Sequence, residues 1–468
     1  MLSALLGLAC LAPKYTPPAA PVPTDFPQQV QAQNAQDLPP WQEAFTDPEL
    51  QGLIQTALDN NRSLRTTLLS VEQARVQLRL SSSALAPQLG LEAGFTSVGT
   101  PASVSAFGEG YQVNQYRAGP TVSWQMDLFG QQRYARRASA VELSAAGEDW
   151  RAARISLIAQ VASAALQERV LLQEQALAAQ ALADRQEYAE LVRVKVEAGL
   201  ASELDLHQAN ALVSSAQVTH AQLERGAAQA HNALVLLVGA PVAPLEALDR
   251  PAQELVRTTL DPGLPSELLL SRPDLRAAEQ RLIAAHANIG AARAAFFPSI
   301  SLTGGVNSAS ASLGGLFQQD TLAWSFTGPT VSLPIFDLGA RRANLRGSKV
   351  AREQALASYE ATIQTAFREV ADVLVAWPTY EAQVAAQQEL AQTQSLRVDL
   401  AEQRYEGGVS DYLEVLDAER ERLTAELALR EADLAQAQLA VSWFLVLGGG
   451  AESEVGIPEW ESVRSEQP

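Results

Sequence analysis

The property that most limits what this chain can fold into is that it contains one pattern twice. The sequence matches itself at an offset of about 210 residues in three separate places. RSLRTTLLSVEQARVQLRLSSSALAPQLGLEAG, from Arg62, aligns with RPDL…FFPSISLTGG from Arg272. That shift of 211 carries Leu64 onto Leu275 and Pro87 onto Pro298. GPTVSWQMDLFGQQR at Gly119 aligns with GPTVSLPIFDLGARR at Gly328 with a shift of 209, sharing five consecutive identities and a later Gly130/Gly339 match. EAGLASELDL at Glu197 aligns with EGGVSDYLEV at Glu406, and the same shift lays LLVGAP at Leu236 over LVLGGG at Leu445. Three blocks in register mean that the chain is two copies of one supersecondary unit.

Each unit reads as helix, strand, strand, long helix, shorter helix. Residues 62–86 and 273–297 carry a helical pattern that stops at Pro87 and Pro298. Leu89, Leu91, Ala93 and Phe95 then alternate with Gln88, Gly90, Glu92 and Gly94, the period of two of a strand with one apolar face. The partner strand alternates Val122, Trp124, Met126 and Leu128 with Thr121, Ser123, Gln125 and Asp127. In the second unit Ile300, Leu302 and Val306 answer the first strand, and Val331, Leu333 and Ile335 the second. The intervening segments 99–115 and 308–321 are rich in Gly, Ser and Ala, as loops are.

Residues 131–198 and 340–406 are Ala-rich, and the first has no proline and only one internal glycine, Gly147. At 1.5 Å per residue each predicts a helix of about 100 Å, too long for one globular core, so it requires coiled-coil partners. Gly199 and Gly408 stand where a helix end wants positive φ. Ser202 with Asp205, and Asp411 with Glu414, then restart a helix with capping-box spacing. The short turn sends the next helix back antiparallel. Helix 203–238 at about 54 Å plus helix 62–86 at about 37 Å together nearly cover the long helix, so the two shorter helices are expected to stack end to end along it. Pro378 is expected to kink the second long helix.

Composition narrows the partners. Aromatics make up only 6% of the chain, which favours long helices over a large packed globule. A net charge of −19 repels phosphate, so nucleic acid is not an expected partner. A single cysteine, Cys10, excludes an intrachain disulfide. It follows an apolar leader, residues 1–9 (MLSALLGLA), and precedes a proline-rich stretch, which resembles a bacterial lipoprotein cleavage site with Cys10 as the acylated residue. One lipid chain holds a protein only marginally, so it would supplement another attachment. No uninterrupted run of about 20 apolar residues is present, so a membrane crossing is expected to use strands of a closed barrel. The four histidines (His207, His220, His231, His286) lack zinc-ligand spacing and read as surface or packing residues. No nucleophile–base motif or phosphate-binding loop stands out, so neither an enzyme nor a cofactor is expected.

Four strands cannot close a barrel, but three chains would supply twelve. Leu89, Phe95, Trp124 and Met126 would then face lipid, with Gln88, Glu92, Ser123 and Asp127 facing a wet lumen. The runs WQEAFTDPELQGLIQTALDNN, SWQMDLFG, RPDL…ARAAFFPSISL, LPIFDLGARRANL and YEGGVSDYLEVLDAER together resemble the outer-membrane efflux protein family (TolC type), over about residues 14–450. The leader CLAPKYTPP is similar to its lipoprotein branch, which serves resistance–nodulation–division pumps. The resemblance implies a mainly α fold with a membrane β-barrel: a homotrimer with a twelve-stranded barrel in outer-membrane lipid and a long periplasmic α-helical barrel. It also implies a periplasmic adaptor docked on the helical tips and an inner-membrane pump behind it. The expected organisation is leader 1–9, lipid-anchored segment 10–37, repeats 38–240 and 241–450, and an acidic tail 451–468. A duct for secreted proteins, or a soluble coiled-coil periplasmic adaptor or scaffold, are the competing readings.

The resemblance also assigns a gate. Leu413 and Asp417 would face the axis where the helices converge, with Arg420 among the pairs that close it. Independently, threefold repetition of Asp417 would make a carboxylate ring of the kind that selects cations, while Asp417 with Arg420 also has the spacing of an ordinary i,i+3 surface pair. Glu414 and Asp205 have a capping role and a gate role to choose between. Gln208 stands where the second unit has Asp417, so an asymmetric gate is expected. The turns Ala198, Gly199, Leu200 and Gly407, Gly408, Val409 are the candidates for adaptor contact, besides ending their helices.

Overall fold

A computed structural model describes residues 15–18, 21–23, 40–106, 108–248, 250–256, 272–318, 320–449 and 455–458. Cys10, the leader and nearly all of the proline-rich segment lie outside these, as does most of the acidic tail. The elements in order are α1 (Trp41–Ala44), α2 (Pro48–Asn60), α3 (Arg62–Ser83), β1 (Gln88–Thr100), β2 (Tyr111–Met126), α4 (Gln131–Glu197) and α5 (Glu203–Val238), then α6 (Pro273–Ala294), β3 (Ser299–Ser310), β4 (Leu322–Ser332), α7 (Ala340–Glu406) and α8 (Tyr412–Val446). The helix-strand-strand-helix-helix order thus occurs twice. The chain divides into two compact units, one holding Ser70–Ala146 and Ala277–Tyr359 with the N-terminal residues, the other Ala20–Leu69, Gly147–Arg276 and Glu360–Pro468.

The first unit contains one antiparallel sheet in the order β1-β2-β3-β4. The two hairpins, one from each repeat, join through β2 and β3, where Trp124 faces Leu302 and Met126 faces Ile300. Because side chains alternate across a strand, the register gathers Leu89, Leu91, Phe95, Val122, Trp124, Leu302, Val306, Trp324 and Phe326 on one face. Gln88, Glu92, Ser123, Thr121, Ser301 and Thr303 fall on the other. The apolar face is bare, with Leu91 83% and Trp324 79% exposed. Gly119 is required where β2 meets β3, since a Cβ there would lie 2.2 Å from the Val306 carbonyl oxygen.

Three sequence expectations change here. The loops are shorter, 101–110 and 311–321, because Tyr111 and Val113 pair with Thr100 and Val98, and small residues such as Ser308 find cross-strand partners. Leu128 and Asp127 lie beyond β2, so Asp127 does not face a lumen from a strand. Its carboxylate instead accepts from the Gln132 and Arg133 amides at 3.1 and 2.9 Å and caps α4. Asp337 does the same for α7, accepting from Gly339 and Arg341, and the Arg341 guanidinium holds its carboxyl below the usual range. Finally, β4 stops at Ser332, so Leu333 and Ile335 are not in a strand. Pro334 lacks an amide donor, and among the described residues no fifth strand lies alongside.

The second unit packs α4, α5, α7 and α8 along an alanine-rich core containing Ile158, Leu166, Ala216, Leu234, Ala418 and Ala437. Small side chains let helices approach closely over many turns, which explains the Ala-rich composition. One window of α4 is apolar enough to cross a membrane by length and composition, but 61% of it is buried inside the protein, so it is core. The segment 45–56 is clamped onto α4 by Arg169, which pairs with both Asp47 and Glu49. His231 is a packing residue, its Nδ1 lying 2.9 Å from the buried Glu168 carboxylate. The helix α7 continues through Pro378, and the Thr379 hydroxyl donates to the Ala376 carbonyl at 2.6 Å, near the amide that proline lacks.

The short helices meet at the same position in both repeats, through different side chains. The Asn61 side-chain oxygen accepts from the Leu64 amide at 2.9 Å and caps α3, while its nitrogen donates to the Leu237 carbonyl in the last turn of α5 at 2.7 Å. Shifted by one repeat, Arg272 precedes α6 and donates to the Val446 carbonyl of α8 at 3.1 Å. Gly239 ends α5 at φ +72°, and a Cβ there would be 2.7 Å from the Asn60 carbonyl oxygen. In the first repeat one buried side chain, Asn61, therefore satisfies two helix ends at once. Asn61→Ala is expected to cost about 2 kcal/mol, from the lost cap and an orphaned carbonyl. Asn61→Ser, which keeps a cap acceptor but not the reach to Leu237, should lose about half of that; denaturation midpoints followed by circular dichroism would rank the two.

Candidate functional site

The candidate residues gather where α4 turns into α5 and α7 turns into α8, all within the second unit. Both long helices end on a glycine at positive φ, Gly199 at +74° and Gly408 at +66°, where a Cβ would be strained. After the first turn Ser202 and Asp205 form a complete capping box, the Ser202 amide donating to Asp205 at 2.9 Å and the Asp205 amide to the Ser202 hydroxyl at 3.2 Å. The Ser202 amide and hydroxyl hold the Asp205 carboxyl below its ordinary range. In this state Asp205 is a cap.

The second hairpin departs from the capping expectation. Asp411 is the N-cap of α8 but its side chain accepts no capping bond, and Glu414 does not reach back to it. Glu414 pairs instead with Arg404 on α7, at 3.1 Å. Asp417 is held from two sides, by Arg420 one turn on at 2.6 Å and by Arg397 across the hairpin at 2.9 Å. Such exposed pairs are individually worth less than about 1 kcal/mol, but they fix where the carboxylate points. Gln208, in the matching place of the first hairpin, carries no charge, so the two hairpins differ as their sequences do.

Beneath these charges, an aromatic cluster joins the hairpins to each other. Tyr188 of α4 stacks on Tyr412 of α8 with ring centroids 3.9 Å apart, and Tyr405 of α7 meets Tyr412 edge-on at 4.9 Å. Lys195 donates to the Tyr405 hydroxyl at 2.9 Å, a further tie between the hairpins. Burial pushes the Tyr188 phenol up to about 12 and raises that of Tyr412 as well, so both remain neutral over the physiological range. The Glu419 carboxyl is raised first by burial and then by Asp184, while burial lowers the Arg185 guanidinium. Small patches of core back the cluster: Val398, Ala401, Val415 and Ala418 in one hairpin, Ala189, Val192 and Ala209 in the other.

The outermost positions are apolar and exposed. Leu200 and Leu204 on the first hairpin and Val409 and Leu413 on the second, related by the 209 shift, are all more than half exposed. Arg397, Arg404, Tyr188, Tyr405 and Lys195 belong to the site although sequence reasoning passed over them. For Arg397 and Arg404 a signal existed: in an antiparallel hairpin, residues facing each other have a nearly constant index sum, and 397 with 417 and 404 with 414 obey this. The contacts of Tyr188 and Lys195 bridge different repeats and leave no such trace. Among the described residues no group of His, Cys, Asp and Glu is arranged to hold a metal.

Comparison with known proteins places this architecture. The family model "Outer membrane efflux protein" matches twice, over residues 53–240 and 264–449, once per repeat. The toluene efflux pump outer membrane protein TtgF of Pseudomonas putida is 41% identical over 480 residues, covering 99% of this chain and 97% of that protein. The outer membrane protein OprJ of Pseudomonas aeruginosa is 40% identical, covering 96% and 95%. The crystal structure of the open state of the Neisseria gonorrhoeae MtrE outer membrane channel superposes with a TM-score of 0.82 at 36% identity, over 94% of this chain and 98% of that one. With both repeats matched and relatives aligned nearly end to end, the chain belongs to the outer membrane efflux protein family.

Proposed function

We propose that three copies of this chain form a continuous duct, with a twelve-stranded barrel in the outer membrane and a helical passage below it that ends in a gate at the hairpin tips. The duct is the passive exit of a tripartite efflux system. Small molecules, apolar organic compounds of the kind named for the toluene efflux relatives among them, enter from a periplasmic adaptor and an inner-membrane pump. Acylation at Cys10 would add a second attachment to the outer membrane.

One observation carries the trimer: the sheet ends on two strands, β1 and β4, that lack a neighbour on one side, and the repeat tells how they fit. Shifting the β2–β3 register by one repeat predicts the pairing of β4 with β1 of the next copy. Val122 facing Gly304 becomes Val331 facing Ala93, and Trp124 facing Leu302 becomes Leu333 facing Leu91. Met126 facing Ile300 becomes Ile335 facing Leu89. Ile335 is 93% exposed and Leu89 77% in the single chain, and this pairing gives both a partner. It also accounts for the apolar alternation running on to Ile335 although β4 stops at Ser332. Gly328, with nothing near its Cβ position, matches Gly119, which needs to be glycine against β3. Hydrocarbon leaves no other partner for the edge amides, so the sheet has to close.

At the tips, threefold repetition brings three Asp417 carboxylates toward one axis, where they repel. Arg397 and Arg420 offset that repulsion, and Arg397 ties each α8 to its α7. The gate is opened by drawing α7 and α8 apart, and the exposed Leu200, Leu204, Val409 and Leu413 give an adaptor an apolar grip with which to do so.

Two measurements test this reading. Cysteines at Val331 and Ala93, in a Cys10→Ser background, should cross-link into covalent trimers, while Val331→Cys with Phe95→Cys, two residues out of register, should not; equal yields would refute the closure. Asp417→Ala and Arg397→Ala should each raise basal conductance in planar bilayers. Of the two, Arg397→Ala is expected to act more strongly, because it leaves the carboxylate in place with half of its compensation. Conductance unchanged in both variants would remove this pair from the gate.

A further inference from the structure

Within one chain the two hairpins meet along α4 and α8, and the repeat relates these helices to another pair that the single chain leaves apart. Tyr188 of α4 stacks on Tyr412 of α8 with ring centroids 3.9 Å apart. Further along, the Gln438 amide donates to the Gln167 side-chain oxygen at 3.4 Å. Between these contacts, burial and then the nearby Glu431 carboxylate push the Glu174 carboxyl up to about 7. Shifted by 209 residues, α4 becomes α7 and α8 becomes α5. The shifted helices are bare where the originals are covered. Leu166 and Ala437 are both 0% exposed, whereas Val375 is 51% exposed and Ala228 is exposed as well. At the tips the correspondence holds to the residue. Tyr412 and Glu203 are the first residues of α8 and α5, and Tyr188 and Arg397 stand equally far ahead of Glu197 and Glu406, where the long helices end.

We propose that α7 of one copy packs on α5 of the next as α4 packs on α8 within a chain, and that an ion pair between Arg397 and Glu203 of the partner subunit takes the place of the Tyr188–Tyr412 stack. This rests on the trimer proposed above and names the surface that joins its helical parts. The shifted pairs suit each other. Gln383 meets Gln222 where the chain itself sets Glu174 near Glu431, and Thr393 meets Asn210 where it sets Asp184 near Glu419. Amides and hydroxyls can both donate and accept, so these pairs bond where the carboxylates repel. Arg397 donates from Nη2 to Asp417 at 2.9 Å and from Nη1 to Gln394 at 3.5 Å, which leaves Nε for a further acceptor. Glu203 is exposed, and among the described residues its carboxylate has no partner. Aromatic joints within chains then alternate around the tips with ionic joints between chains. An exposed ion pair is weak in water, whereas the stack has a part-buried apolar body, so the tips part between copies. Arg397 couples the two events, because one guanidinium holds α8 through Asp417 and the neighbouring copy through Glu203.

The test bridges cysteines with a short bismaleimide in the full-length Cys10→Ser protein and reads the products on a denaturing gel. Arg397→Cys with Glu203→Cys should give covalent trimers, whereas Tyr188→Cys with Tyr412→Cys should be bridged within each chain and run as monomer. Monomer alone from the first pair, while the Val331→Cys, Ala93→Cys pair still yields trimers, would overturn this joint and leave the duct standing. Absence of trimers from both would remove the duct and the joint together. The charge is tested separately in planar bilayers, where Glu203→Arg sets two cations against each other and should raise basal conductance at least threefold. Conductance equal to that of the unaltered chain would leave α7 and α5 neighbours without an ion pair, and the proposed pairing would be wrong.

Discussion

Backbone amides at the edge of a sheet have to be paired once they enter hydrocarbon, and much else in this protein follows from that requirement. Each repeat supplies only one hairpin, and two hairpins make a sheet with an apolar face and two open edges. Such a sheet is a liability in water and impossible in a membrane until the edges meet. The duplication offers a solution, because β2 meets β3 along a surface that β4 and β1 reproduce. A chain with one repeat would need six identical copies to reach twelve strands; with two repeats it needs three, and the two hairpins become free to differ.

That freedom is used within the helical unit. The joint between stacked helices keeps its position in both repeats while its chemistry diverges: Asn61 is a neutral residue that caps and donates, whereas Arg272 donates to Val446 and also pairs with Asp274 and Glu369. Both side chains are buried, so each site conserves the pairing of backbone hydrogen-bonding groups rather than the residue type.

The sequence revealed most of the fold because its elements are long and locally determined. The predicted helices 131–198 and 340–406 differ from Gln131–Glu197 and Ala340–Glu406 by a residue at most, since alanine-rich runs end where Gly199 and Gly408 permit positive φ. Prediction failed where the deciding partner was distant. Leu333 and Ile335 carry strand periodicity, yet a strand also needs a neighbour, and the described residues of the single chain offer none. Asp127 sits in phase with its strand, but two amides of the next helix claim its carboxylate. At the tips, caps were legible from spacing, whereas the Tyr188–Tyr412 stack depends on how two repeats approach each other. No local pattern encodes that approach.

The tips also show how duplication lets two like hairpins use equivalent side chains differently. In the first hairpin Ser202 and Asp205 satisfy each other, so the acid is consumed by local structure. The second hairpin commits no side chain to its cap. Glu414 and Asp417 reach across to Arg404 and Arg397 instead, and what would have been local stability becomes a set of contacts between two helices. Contacts of this kind are weak singly and can be broken without unfolding either helix. The two hairpins thus hold their tips by different means, one within its own turn and the other between its two helices.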